Sequence, residues 1–113
     1  MGMMIGLLIM LTATEQERTA RNLYSGNALY ASCTGSAPDR IECQGFIQGT
    51  IATVMYFEEA KVIPPIICYT DGLQGQQLVE IVTNHLRDHP ETRQFGAGGL
   101  ALAALSKAFP CRY

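Results

Sequence analysis

The chain has 113 residues, of which 48% are hydrophobic and 16% are charged, and its formal net charge is −2. This length suits one domain, and the composition excludes an intrinsically disordered, strongly charged chain. Because the 8 basic residues are outnumbered by 10 acidic ones and form no cluster, we expect no nucleic-acid partner. The 4 cysteines indicate a disulfide framework, provided that the chain leaves the cytosol.

The N-terminus carries an uninterrupted apolar run, residues 3–11, followed by small residues up to Thr14. So short a run does not cross a bilayer, which needs about 20 apolar residues. It suits the apolar region of a secretory signal peptide, which we expect to occupy residues 1–14. No basic residue precedes the run, which leaves room for a true start further upstream. A short buried N-terminal helix is the alternative.

Beyond the signal, we expect a single domain, residues 15–113, because helical patterns dominate and strand-like alternation is scarce. The fold class predicted is all-α, a small disulfide-stapled bundle of four to five helices. Residues 25–27 offer capping groups for a first helix over 28–33. A segment containing glycine and proline, residues 34–38, then interrupts the helical pattern.

A second helix is predicted from Asp39 to about Phe57. Asp39 and Glu42 have the spacing of a capping box, which satisfies free backbone amides at a helix start. Gly45 and Gly49 lie one turn apart and would let another backbone approach closely, most simply as tight packing. The residues that recur at helical spacing and predict the buried face are Cys43, Phe46, Ile47, Thr50, Ile51 and Val54.

Pro64 and Pro65 predict an extended connection over residues 62–69. A third helix is expected from about Gly75 to Arg87. Its outward positions are polar, and the residues of its buried stripe are Leu78, Ile81, Val82, His85 and Leu86.

Pro90 suits the first turn of another helical segment, with Asp88 or His89 as its cap. Residues 96–99 contain three glycines, and each costs about 1 kcal/mol relative to alanine inside a helix. We therefore expect a break there, followed by a last helix over about 100–109 that Pro110 ends.

The four cysteines fall at element ends or in connections, where disulfides commonly join the parts of small helical domains. Four cysteines allow three pairings, and the sequence does not choose among them. A zinc site would need closely spaced ligands such as Cys-x-x-Cys, whereas the closest cysteines here are ten apart. We therefore predict two disulfides and no metal site. The cysteines that form the disulfides are Cys33, Cys43, Cys68 and Cys111.

A cysteine nucleophile paired with His85 or His89 is conceivable. However, no catalytic signature surrounds any cysteine, and an even number of cysteines favours pairing. His85 lies at a core-facing position, and His89 precedes a proline at a helix start, so packing and capping are the simpler roles. No phosphate-binding glycine loop or paired carboxylates are found. We therefore predict a protein that is not an enzyme and has no cofactor.

The C-terminal half carries motifs that resemble a known family. The most similar segments are residues 68–78 (CYTDGLQGQQL), 86–93 (LRDHPETR) and 103–111 (AALSKAFPC). The most specific parts are His89-Pro90-Glu91-x-Arg93 and the final Ala-Phe-Pro-Cys. Together with a looser match in the front half, they make residues 22–111 similar to the Rap/Tai family of immunity proteins against type VI secretion amidase effectors.

This resemblance implies a periplasmic, disulfide-bonded, all-helical protein that usually forms a homodimer and has no membrane span once the signal is cleaved. It would bind a secreted peptidoglycan amidase and block the active site. The sequence departs from the family pattern at two places. Residues 49–53 lack an acidic residue that often follows the second glycine, and residues 96–99 replace better helix formers.

An inhibitor needs a rigid feature that protrudes into a cleft and carries anchoring side chains. We expect this feature in the turn over residues 87–94. The candidate effector-binding residues are Arg87, Asp88, His89, Glu91 and Arg93.

Two other interpretations remain open. Glu91 and Arg93 could brace the turn internally instead of contacting an effector. At the level of function, the main alternative is a periplasmic helical chaperone or stress protein without a dedicated effector, and a cysteine hydrolase is a weaker third.

Overall fold

A computed structural model describes residues 24–112 of the chain, and the signal-peptide prediction for residues 1–14 lies outside them. Within the described residues the chain forms four α-helices and no strand, which confirms the all-α prediction. None of these helices is long and apolar enough to cross a membrane. The helices are α1 (Gly26–Cys33), α2 (Ala37–Glu59), α3 (Gly75–Asp88) and α4 (Ala97–Ala108), and a 3-10 turn (Pro90–Thr92) separates α3 from α4.

The second helix begins earlier than predicted, at Ala37 instead of Asp39. Its N-cap is Ser36, and the Asp39 carboxylate accepts a hydrogen bond from the Ser36 backbone amide at 3.1 Å. The predicted Asp39–Glu42 capping box is therefore wrong. Pro38 lies in the first turn of α2 and not in the break before it. A proline is tolerated there because the backbone amide that it lacks would have no partner within the helix.

The buried face of α2 agrees with the sequence prediction. Cys43, Ile47 and Ile51 are buried, and the flanking positions of the same face are half-buried. The buried residues of α2 share one core with residues of α3 and α4, and Leu29 of α1 belongs to the same core. The largest fully buried side chains are Leu29, Ile47, Leu86, Leu105, Val82 and Cys43.

The third helix matches its predicted bounds to within one residue at its C-terminal end. Val82 and Leu86 are buried, and the other members of the predicted stripe are half-buried. At the predicted outward positions, Glu80, Asn84 and Arg87 are exposed. The period of 3.6 residues thus predicted both faces of this helix.

The fourth helix begins at Ala97, so the break expected over residues 96–99 is confined to its N-cap, Gly96. Gly98 and Gly99 lie in the first turn of α4. The helix begins early because the Ala97 amide donates to the Tyr24 carbonyl at 3.0 Å and the Ala97 side chain is fully buried. Tertiary packing outweighs the helix penalty of two glycines here.

Two disulfides join the elements and resolve the pairing that the sequence left open. Cys33–Cys43 links the end of α1 to α2, and Cys68–Cys111 links the connection after α2 to the chain beyond α4. The predicted extended connection is present without forming a strand, and the Cys68 amide donates to the Phe109 carbonyl at 2.9 Å. Cys33 and Cys43 belong to the buried core. Both disulfides contribute to stability by restricting the unfolded chain.

Candidate functional site

The turn between α3 and α4 is held against the segment that leads into α1. Three backbone hydrogen bonds join the two segments, and Ser25 and Gly96 form an antiparallel bridge. The bonds run from the Gly26 amide to the Phe95 carbonyl at 2.8 Å, from the Asn27 amide to the Arg93 carbonyl at 2.8 Å, and from the Ala97 amide to the Tyr24 carbonyl at 3.0 Å. The turn is therefore rigid although it contains only one short 3-10 segment.

Gly26 allows this close approach. A Cβ atom at this position would lie 2.8 Å from the Arg93 carbonyl oxygen and 2.9 Å from the Arg93 Cα, and it would also overlap the Leu100 side chain. The backbone atoms cannot move away without breaking the bonds described above. The sequence predicted only a capping role for Gly26, because the contact depends on residues far away along the chain.

Arg93 points inward, toward α1. Its guanidinium carbon lies 4.4 Å from the centroid of the Tyr30 ring, a cation–π contact. Its Nε atom is buried and has no hydrogen-bond partner within residues 24–112. Of the two roles considered for Arg93, this arrangement favours bracing of the turn.

His89 and Glu91 form a pair at the beginning of the turn. His89 Nδ1 lies 3.2 Å from Glu91 Oε1, which accepts the hydrogen bond. The hydrogen bond from its own backbone amide and then that from His89 hold the pKa of the Glu91 carboxyl below its usual range. The Glu91 side chain is nevertheless 64% exposed, so it can contact a partner while paired.

The His85 ring packs against the His89 ring at a tilt of 39°, with 4.4 Å between the ring centroids. Burial lowers the pKa of the His85 imidazole, and the electrostatic influence of His89 and Lys107 lowers it further. Asp88 and Glu91 act in the opposite direction with smaller effect. His85 is half-buried on α3 and in ring contact with His89.

The remaining sequence candidates, Arg87 and Asp88, are exposed at the end of α3. Arg87 Nη1 donates to Asn84 Oδ1 at 2.7 Å, which restrains the guanidinium group. The five candidates therefore fall into two groups, according to whether the side chain faces solvent or the fold. Arg87, Asp88 and Glu91 face solvent, whereas Arg93 packs against the fold and His89 holds Glu91.

Phe95 is an exposed aromatic residue that sequence analysis missed. The Phe95 side chain is 58% exposed, but two hydrogen bonds fix its backbone. The Phe95 amide donates to the Thr92 carbonyl at 3.0 Å, and the Phe95 carbonyl accepts from the Gly26 amide. A single exposed apolar side chain is ordinary on a protein surface, so what distinguishes Phe95 is that its backbone is held in place. The available signal was a single aromatic residue in an otherwise polar turn, directly before Gly96.

Gly45 and Gly49 lie on an exposed face of α2. Apart from the adjoining residues and backbone of α2 itself, no atom of the described residues comes within 4 Å of a Cβ built at either position. The tight packing predicted for them is therefore not found within this part of the chain. Together with Phe46, Thr50, Thr53 and Val54 they line a shallow, open groove.

The cysteines and the potential metal ligands bear on whether a catalytic centre of a known kind is present. All four cysteines are in disulfides, so a cysteine hydrolase would have no free thiolate. Across residues 24–112, no three His, Cys, Asp or Glu side chains are placed to hold a metal ion. What the turn offers is a rigid set of exposed charged and aromatic groups.

The family model of the Rap1a immunity proteins matches residues 25–111. The chain belongs to the Rap1a immunity family. The match begins at the N-cap of α1 and ends at Cys111, so it contains all four described helices and both disulfides. This membership confirms the family resemblance found in the sequence. Comparisons with the curated proteins and with the solved structures gave no match.

Proposed function

We propose that this Rap1a-family chain is a periplasmic immunity protein that binds a type VI secretion amidase effector and blocks its attack on peptidoglycan. The observation that carries the proposal is the family match over residues 25–111, which indicates immunity against a secreted effector. Two disulfides support an oxidising compartment, and the periplasm is one. The amidase target rests on the sequence resemblance described above.

The binding surface in this proposal is the outer side of the turn between α3 and α4. Phe95 supplies an aromatic anchor, and Glu91 and Arg87 supply charges beside it. Bonds to the segment before α1 fix the turn in the free protein, so little conformational entropy is lost on binding. An anchored, preorganised turn suits insertion into the cleft of an enzyme.

Inhibition then needs no chemical step by this chain. A turn that occupies the substrate cleft excludes peptidoglycan for as long as the complex lasts. Arg93 and His89 act as positioning residues, since Arg93 holds the turn to α1 and His89 orients the Glu91 carboxylate.

We further propose a homodimer that uses the exposed glycine face of α2. Gly45 and Gly49 leave a strip without side chains, along which a second helix backbone can pack closely. Phe46 and Val54 flank this strip and would supply apolar contact area.

The proposal is tested by co-expressing the full chain with a periplasm-directed small Cys/His amidase encoded beside it. We expect survival of cells that the amidase alone lyses. Phe95→Ala with Glu91→Ala should abolish this protection, whereas Glu59→Ala, an exposed change at the end of α2, should retain it. Lysis in the presence of well-expressed wild-type chain would contradict the proposal. Protection against an unrelated unfolding stress instead would favour a chaperone.

A further inference from the structure

A second surface feature lies between α2 and α3. It is a groove of about 240 Å³, with the Cys33–Cys43 disulfide among its lining residues. Arg40 and Gln44 line it from α2, and Asn84 and Arg87 line it from α3. Neither the sequence candidates nor the function proposed above accounts for Arg40 or for this groove.

The groove carries an excess of positive charge. Within the described residues, the ion pair that is present joins His89 and Glu91. Neither the Arg40 nor the Arg87 guanidinium lies within 4.0 Å of a carboxylate in this part of the chain. Glu80 is the acidic residue that lines the groove, against these two guanidinium groups. Both arginines are exposed, so an incoming partner can reach them.

The arrangement of donors suits a carboxylate. A guanidinium group offers a planar pair of N–H donors that matches the two oxygens of a carboxylate, and the amides of Gln44 and Asn84 can add further donors. The hydrogen bond of Arg87 to Asn84 at 2.7 Å restrains one guanidinium before any partner arrives. A groove of about 240 Å³ is below the usual volume of a small-molecule pocket, so it fits side chains of a larger partner.

We propose that this groove receives an acidic segment of the bound effector, with Arg40 and Arg87 pairing to its carboxylates. The inference rests on the proposed function for the identity of the partner. It also joins the two surfaces, because Arg87 lies at the end of α3 directly before the turn that carries Glu91 and Phe95. An effector anchored on the turn is thereby aligned along α3, and Arg40 becomes a specificity residue for acidic partners.

The test measures affinity for the amidase by calorimetry at 50 mM and 200 mM salt, with Arg40→Glu, Arg87→Glu and the control Arg112→Glu. Arg112 is exposed and is not among the residues that line the groove. We expect each groove variant to weaken binding at least about tenfold, because reversing a charge places like charges together. The control should stay within about twofold of wild type, and the groove variants should show a weaker salt dependence. Unchanged melting temperatures would show that the variants fold.

A second measurement separates the two proposals. Wild-type chain is titrated with hexaglutamate, and with hexaglutamine as the matched uncharged peptide, while backbone and arginine side-chain NMR signals are followed. Selective shifts at Arg40 and Arg87 with hexaglutamate support the groove as a site for acidic segments. If the amidase nevertheless does not bind, only the proposed immunity function is overturned. Tight amidase binding that Arg40→Glu leaves unchanged overturns the groove alone. If neither the amidase nor hexaglutamate binds, the proposed function and the groove proposal are both overturned.

Discussion

The Arg93 guanidinium lies over the Tyr30 ring, 4.4 Å from its centroid, and so connects the turn after α3 to the middle of α1. The Arg93 carbonyl also accepts a hydrogen bond from the Asn27 amide at 2.8 Å. Both the side chain and the backbone of this residue therefore face the fold. This relationship distinguishes residues that shape the binding surface from residues that form it.

Replacing Arg93 with alanine should lower the free energy of unfolding by about 1–2 kcal/mol, the range of a partly desolvated cation–π contact and its packing. Urea unfolding followed by circular dichroism measures the change. Arg87→Ala is the matched control and should alter stability by less than about 0.5 kcal/mol, because Arg87 is exposed. A loss of effector binding by Arg93→Ala with unchanged stability would show instead that Arg93 contacts the effector.

Substituting Gly26 with alanine should destabilise the protein by about 1–3 kcal/mol, since the added methyl group would meet the backbone of Arg93. Gly45→Ala is the control in a helix interior. It should stabilise the isolated chain by about 0.5–1 kcal/mol because no described atom approaches that position.

Sedimentation measurements on the Gly45→Ala chain then test the homodimer. A dimer that packs along the glycine face should dissociate at concentrations where wild type stays paired. If the wild-type chain is a dimer that Gly45→Ala leaves intact, the dimer uses another surface.

Removing the Cys68–Cys111 disulfide should destabilise the protein more than removing Cys33–Cys43. The chain-entropy relation gives about 4 kcal/mol for the sequence separation of 43 and about 3 kcal/mol for the separation of 10. Paired Cys→Ala variants compared by urea unfolding measure both values. A larger loss from the Cys33–Cys43 variant would show that its buried packing against the core outweighs loop length.

Stability should decrease as the pH falls below 6.5, the ordinary pKa of histidine, because the pKa of His85 is lowered in the folded chain. In this window the unfolded chain binds a proton that the folded chain does not, so acid favours unfolding. The lowered pKa of Glu91 adds a second loss below its ordinary value of 4.5. Thermal unfolding from pH 5 to pH 8 should show the first effect in wild type and a flatter profile in His85→Gln. An equal slope in both proteins would exclude His85 as its source.

Local patterns predicted the elements of this fold well, and distant contacts account for the errors. The bounds of α3 followed from its apolar period, and the face of α2 followed from the same rule. The early start of α4 did not, because it depends on the bond from Ala97 to Tyr24. The disulfide pairing was likewise beyond the sequence, since it depends on which helix ends meet.

The candidate site divides in the same way. The motif around His89 pointed to the turn over residues 87–94, and that turn is an ordered part of the structure. Whether a side chain there faces the fold or solvent depends on the approach of the segment before α1, which no local pattern contains. Phe95 and Arg40 were missed for that reason, because exposure and an unpaired charge become visible only in the folded chain.

The most direct test of the proposed immunity role is a titration of amidase activity on purified peptidoglycan with the wild-type chain. We predict a linear loss of activity that reaches completion at a fixed stoichiometric ratio, because the chain acts by occupying the cleft. Phe95→Ala should weaken inhibition by about thirtyfold, corresponding to the roughly 2 kcal/mol of an aromatic anchor. Full amidase activity in the presence of excess folded wild-type chain would contradict the account.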